Sequence, residues 1–145
     1  MRTISIKTGL LMFVTLVAFF LLMFSLGLGY RSELSIFNII IQLLFLYSAI
    51  KSYYIRNPKE IDNYMSGVGV GLETSAVGIG CFTLFFIAFL ILNPALLKAI
   101  AQNSQVGAYL NPFTASFFIV TEGIVVSLIG SYILTRIFGY TLKEV

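Results

Sequence analysis

Four long apolar runs divide the chain, and they constrain its fold more than any other feature. A run of about 20 apolar residues can cross a bilayer as a helix. Of the 145 residues, 59% are hydrophobic and only 10% are charged, against about 25% charged in soluble domains. The sequence therefore predicts an all-α polytopic membrane protein with a single membrane domain over residues 1–145. The four predicted transmembrane helices cover residues 8–30, 34–53, 65–92 and 113–135.

Asparagine and proline mark the ends of the last two runs. Asn93-Pro94 ends the third run, because proline cannot continue helical hydrogen bonding. Asn111-Pro112 has the residue types of an N-cap followed by a first helical residue. Between them, residues 95–102 form a short amphipathic segment on the predicted outer side. It lies along the membrane interface or covers the bundle as an ordinary loop.

The distribution of lysine and arginine predicts the orientation, since cytoplasmic loops hold an excess of these residues. Only Arg31 and Lys98 fall on one side of the predicted bundle. The other seven fall on the side that holds both termini, which are therefore predicted to be cytoplasmic. These seven are Arg2, Lys7, Lys51, Arg56, Lys59, Arg136 and Lys143.

Small and polar residues recur at helical spacing and predict how the helices pack, since helices in lipid associate through such residues. The seven-residue repeat favours a left-handed four-helix bundle. The second run carries Ser35, Asn38 and Gln42 on one face, and the fourth carries Ser116, Gly123, Ser127 and Gly130. The third run has two stripes on nearly opposite faces, namely Gly67, Gly71, Thr74, Gly78 and Cys81, and Gly69, Glu73, Ala76, Gly80 and Thr83.

The two stripes predict that the third helix has neighbours on both sides. It is either the central helix of the bundle or a bridge to another copy or a partner. Its glycines serve close packing or line a path for an ion or ligand.

Two glutamates lie inside the apolar runs, where a charged side chain is costly and is a functional hypothesis by default. Glu122 lies in the middle of the fourth run, and Glu73 lies nearer the cytoplasmic end of the third. Gln42, at a similar depth in the second run, is a candidate partner for Glu122. The acids bind a proton or cation, hydrogen-bond between helices, or pair with a basic residue of a partner chain.

Several functions are disfavoured by what the sequence lacks. There is no histidine, the commonest metal ligand and general base, and no nucleophile has an activating base beside it. We therefore predict no enzymatic activity, no catalytic residues, no metal and no cofactor. There is no basic stripe for nucleic acid, and the single Cys81 is interpreted as a small packing residue.

Three segments carry a resemblance to a known family. KSYYIRNP is followed by DNYMSGVGVGLETS, which opens the glycine-rich helix, and then by LNPFTASFFIVTEGIVVSLIGSYILT. The order resembles a family of small four-helix integral membrane proteins of unknown function that is common in Bacteroidetes. The resemblance implies four spans and an inner-membrane location, and it transfers no site residues.

The glycine repeat also resembles the proteolipids of rotary ATPases, which have an acid within a span. Glu122 would match that acid, but the repeat is confined to one helix here.

The sequence predicts an integral inner-membrane protein that acts as a structural or accessory subunit through association with itself or a membrane-protein partner. The alternative is a small proton- or cation-coupled transporter that uses Glu122 and Glu73.

Overall fold

The computed structural model describes residues 2–31, 33 and 35–142 and is all-α. Four of its helices are long and apolar enough to cross a membrane, as the sequence predicts. Leu34 of the predicted second helix and Lys143 of the charge count lie outside the described residues. The helices are α1 (Arg2–Ser25), α2 (Ser35–Arg56), α3 (Tyr64–Leu92), α4 (Pro94–Gln102) and α5 (Pro112–Thr141), with short 3₁₀ turns at Pro58–Glu60 and Gly107–Tyr109.

Helix α1 ends at Ser25 and not at Tyr30 as predicted, because a glycine terminates it. Gly27 has φ +72°, a left-handed conformation that glycine adopts without steric cost. Its N–H donates to the Phe24 carbonyl at 3.0 Å, and the Leu28 N–H donates to the Met23 carbonyl at 2.9 Å. This is the paired bonding of a Schellman cap, which ordinary hydropathy does not detect.

The last helix begins as predicted and continues further than predicted. Asn111 caps α5 by accepting from the Thr114 N–H, while the Thr114 hydroxyl accepts from the Asn111 N–H, both at 2.8 Å. The helix extends to Thr141 rather than to Thr135. Phe138, in the added turn, is buried against the core at that end, so packing supports the extension.

The predicted amphipathic segment is helix α4, which begins at Pro94 directly after Asn93 ends α3. Leu96 of α4 is buried against Phe86, Leu90 and Ala115. Helix α4 therefore covers one end of the bundle, here called the α4 end. The opposite end, where α1 and α3 begin and α2 and α5 finish, is called the terminal end.

Helix α3 is central, because it contacts α1, α2 and α5, and its most extensive contacts are with α1 and α5. Helix α2 lies beside it and also contacts α1 and α5. The prediction that α3 touches neighbours on two sides agrees with this arrangement. One face of α3, opposite α2, is left uncovered within the chain.

Glycines allow the closest approaches of α3 to its neighbours. A side-chain carbon at Gly78 would lie 3.0 Å from the Gly9 carbonyl of α1, and one at Gly67 would lie 2.8 Å from the Thr135 hydroxyl of α5. The Gly67 contact is shorter than real side-chain carbons make and the Gly78 contact is tighter than most of them, so a larger residue at either position would require its neighbour to shift. Gly71 approaches Ser131 of α5 even more closely.

The two predicted stripes of α3 have different environments. Gly67, Gly71, Thr74 and Gly78 of the first stripe are buried. In the second stripe, Gly69 and Thr83 are half-buried, whereas Ala76 and Gly80 are exposed and nothing lies within 4 Å of a side-chain carbon at Gly80. On α5, Gly123 is buried against Ile79 and Gly130 is buried against Leu43.

Candidate functional site

Glu122 is held inside the bundle by a hydroxyl group from the start of α2. It is the eleventh residue of α5 and lies about 15 Å along the helix axis from Pro112. The Ser35 hydroxyl lies 2.5 and 2.6 Å from the two carboxylate oxygens. A hydroxyl has one proton, so the two oxygens share one donor at the short distance typical of a charge-assisted bond.

The start of α2 explains why a carboxylate can lie here. Ser35 is the first residue of α2, and the first turn of a helix has backbone N–H groups without intrahelical partners. This end of a helix also carries the positive end of its dipole, which favours a negative neighbour. The side chain of Glu122 therefore reaches toward a polar region in an otherwise apolar bundle.

A small cavity, here called the Glu122 cavity, lies where α1, α2, α3 and α5 meet. Its volume is about 40 Å³, enough for a single water molecule. The polar lining consists of Ser35, Asn38, Gln42 and Glu122, and the apolar lining includes Leu16, Ile79, Phe82 and Ile119. Asn38 contributes a buried amide oxygen with no hydrogen-bond partner among the described residues. Carboxylate, hydroxyl and amide oxygens thus surround one small space.

The Glu122 cavity adjoins two larger cavities toward the α4 end, which we together call the vestibule. The nearer one has a volume of about 140 Å³ and shares Ser35, Asn38 and Phe82 with the Glu122 cavity. The outer one, of about 500 Å³, shares Ser35 and Arg31 with the nearer one. Arg31 is exposed, so the neighbouring cavities lie in a row between the surface of the protein and the carboxylate.

Gln42 does not hydrogen-bond Glu122, contrary to our expectation. Its amide nitrogen lies 2.9 Å from the Gly123 carbonyl, 2.9 Å from the Ser127 hydroxyl and 3.3 Å from the Ser75 hydroxyl. Gln42 is buried and binds α2 to both α3 and α5. It forms the floor of the Glu122 cavity, so the two residues line the same space without bonding to each other.

Glu73 lies apart from Glu122. It is the tenth residue of α3, about 14 Å along the axis from the terminal end, and it is half-buried. One of its carboxylate oxygens is buried without a hydrogen-bond partner among the described residues. The residues that line the Glu122 cavity do not include Glu73, so the structure does not combine the two acids in one site.

Two residues of the site, Ser35 and Asn38, were predicted as packing residues and not as partners of the acid. The signal that could have identified them is their position. Both precede Gln42 on the same face of α2, as the spacing of the stripe requires.

The part of the chain that the structure describes contains no cluster of three or more acidic, cysteine or histidine residues able to hold a metal ion. No protein-family model, curated protein or solved structure matches this chain. The resemblance to the four-helix family therefore stays a prediction.

Proposed function

We propose that this protein is a small inner-membrane carrier that binds a proton or a small cation at Glu122. The observation that carries the proposal is the position of the Glu122 carboxylate in a small cavity that shares lining residues with the larger cavities of the vestibule. A carboxylate that only joined two helices would need its hydroxyl partner but no route to the surface.

The chemistry of the lining also supports a proton or cation. Oxygen atoms are the ligands that hard cations prefer, and a carboxylate with a hydroxyl neighbour can exchange a proton. The carboxylate lies deeper than Arg31, whose exposed charge is screened by solvent. The Glu122 cavity admits a species of about the size of water, which favours a proton, hydronium or a small bare cation over an organic substrate.

The orientation follows the charge distribution. With the terminal end cytoplasmic, as the positive-inside rule predicts, the vestibule opens to the outer side of the membrane. In the conformation described, Glu122 would then exchange with the outside, and Gln42 would separate it from the cytoplasmic half.

The test is flux into liposomes that contain a pH-sensitive dye and carry an imposed membrane potential. Wild-type protein should acidify or alkalinise the lumen according to the sign of the potential, and Glu122→Gln should abolish that flux. Glu73→Gln is the matched control, because Glu73 does not line the Glu122 cavity. Flux equal to that of protein-free liposomes, or flux unaffected by Glu122→Gln for protons and for Na⁺, would refute the proposal.

A second candidate function is association through α3, and a different feature favours it. An apolar groove of about 450 Å³ lies between α3 and α5 on the outside of the bundle. Ala76 and Gly80 of the second stripe line it and are exposed. Small residues exposed at helical spacing allow another helix to approach closely in lipid, so a second copy would fit there.

Cysteine crosslinking tests this association. In a Cys81→Ser background, Gly80→Cys should form an intermolecular disulfide in native membranes, whereas Leu44→Cys on the exposed face of α2 should not. Equal crosslinking at both positions would indicate random collision and would reject the groove as an interface.

A further inference from the structure

Two buried hydroxyl groups on α5 differ from the others on that helix. Serine and threonine in helices usually donate to the carbonyl four residues earlier, and four hydroxyls of α5 do so at 2.5–3.0 Å. They belong to Ser116, Thr121, Ser127 and Thr141. Ser131 and Thr135 are 0% and 1% exposed, and neither hydroxyl oxygen has a hydrogen-bond partner among the described residues. Buried hydroxyl groups rarely lack a hydrogen-bond partner.

Both hydroxyls are turned toward α3, where glycines leave room for them. The Ser131 oxygen lies against Gly71 and the Thr135 oxygen lies against Gly67. The Tyr54 hydroxyl of α2, which donates to the Asn63 carbonyl at 3.4 Å, also lies against Gly67. The first stripe of α3 therefore faces a row of hydroxyl groups.

The row continues the site described above. Gln42 bonds to Ser127 at 2.9 Å, and Ser127, Ser131 and Thr135 follow one another at intervals of four residues on one face of α5. Each interval is about 6 Å along the helix, close to the distance that one water molecule bridges with two hydrogen bonds of about 2.8 Å.

At the terminal end the row opens into a cavity of about 220 Å³. Thr135 and Tyr54 lie at its inner wall, and the exposed side chains of Asp62 and Arg136 lie at its rim. The unpartnered Thr135 hydroxyl thus lines a cavity that communicates with the surface opposite the vestibule.

We propose that Ser131, Thr135 and Tyr54 form a proton path from Glu122 to the terminal end, which names the transported species as the proton. The proposal rests on the carrier function proposed above. Thr135 and Tyr54 line the terminal cavity, and the path requires water to enter from it and bridge Thr135 to Ser131 and Ser127. Each hydroxyl oxygen accepts a proton on one side and releases its own on the other, so that no group is oxidised or reduced.

In the conformation described, Gln42 interrupts the proposed proton path between Glu122 and Ser127. Its amide nitrogen donates to Ser127 and to the Gly123 carbonyl, and an amide donor does not pass a proton onward. A change in the Gln42 side chain is therefore needed to connect Glu122 with Ser127. Gln42→Ala should raise passive proton leak through the protein.

The experiment compares Thr135→Val and Ser131→Ala with the matched control Thr121→Val. Valine has the shape of threonine without the hydroxyl, and Thr121 is an exposed residue of the same helix. In proteoliposomes, the two path variants should lower proton flux at least about tenfold, since proton transfer through a positioned group contributes that much or more. The control should leave the flux unchanged.

The outcomes separate the path from the carrier function. Flux that Glu122→Gln abolishes but Thr135→Val leaves intact would overturn the path and keep the carrier. Absence of any wild-type flux would overturn both.

Thermal melting in detergent provides a second measurement that does not need flux. Removing a buried hydroxyl that has neither a protein partner nor a water partner should stabilise the protein. Thr135→Val would therefore melt at a higher temperature than wild type if no water reaches Thr135. A melting temperature equal to or below that of wild type is expected for a hydrated path.

Discussion

The packing of α3 against α5 predicts that two glycines of one helix respond in opposite ways to the same substitution. Gly71 faces Ser131 so closely that an added side-chain carbon would overlap both the hydroxyl oxygen and the carbon that carries it. Ser131 is fully buried and has no long, flexible end to move aside. Gly80, nine residues further along α3, has nothing within 4 Å of the same added carbon.

The magnitudes can be estimated from these contacts. Replacing glycine by alanine within a helix contributes about 1 kcal/mol of helix propensity at either position. Overpacking a well-packed interior costs about 1–3 kcal/mol, and only Gly71→Ala incurs it. Gly80→Ala should therefore be about 1 kcal/mol more stable than wild type, and Gly71→Ala about 1–3 kcal/mol less stable than Gly80→Ala.

The assay is reversible unfolding in mixed micelles, followed by helicity, at a low ratio of protein to detergent so that copies do not share a micelle. The double variant Gly71→Ala/Ser131→Gly removes the overlapping atoms and should recover most of the packing cost. Equal stability of the two single variants, or no recovery in the double variant, would refute the close approach of α3 and α5.

Three further predictions concern single positions and use the same unfolding assay. Gln42→Leu should lower the free energy of unfolding by about 0.6–2 kcal/mol, the range of interhelical hydrogen bonds in membranes, and an unchanged value would mean that its bonds to Ser127 and Gly123 contribute nothing net. Asn111→Ala should lower the free energy of unfolding by about 1 kcal/mol, because α5 loses its N-cap. An unchanged free energy of unfolding would contradict the Asn111–Thr114 capping box. Gly27→Ala should cost about 1–2 kcal/mol because φ is positive there, while Gly27→Asn should cost less.

The helices could be predicted from the sequence because their signals are local. Hydropathy identifies each long helix, and Asn111-Pro112 fixes the start of α5 by its own capping bonds. The end of α1 could not be read from hydropathy, because residues up to Tyr30 stay apolar while the Gly27 conformation ends the helix.

The partner of Glu122 could not be predicted because it depends on where two helices begin relative to each other. The sequence predicts that Gln42 and Glu122 lie at similar depths, each near the middle of its run. In the structure the first residue of α2, Ser35, already meets Glu122, the eleventh residue of α5. Helix α5 therefore begins about three turns further toward the α4 end, and this offset moves Gln42 down to Gly123 and Ser127.

The same offset accounts for the vestibule. Helix α2 has 22 residues, whereas α3 and α5 have 29 and 30, so the two long helices extend beyond α2 at the α4 end. Among the described residues, Tyr30 and Arg31 before α2 and Ile100 of α4 line this space, and the cavities lined by Arg31 and Ser35 lie there. A longer α2 would replace the Ser35 hydroxyl with a continuous helix surface and separate Glu122 from the surface of the protein. The access route that motivates the carrier proposal thus follows from unequal helix lengths, and the acid lies at the depth where the shortest helix begins.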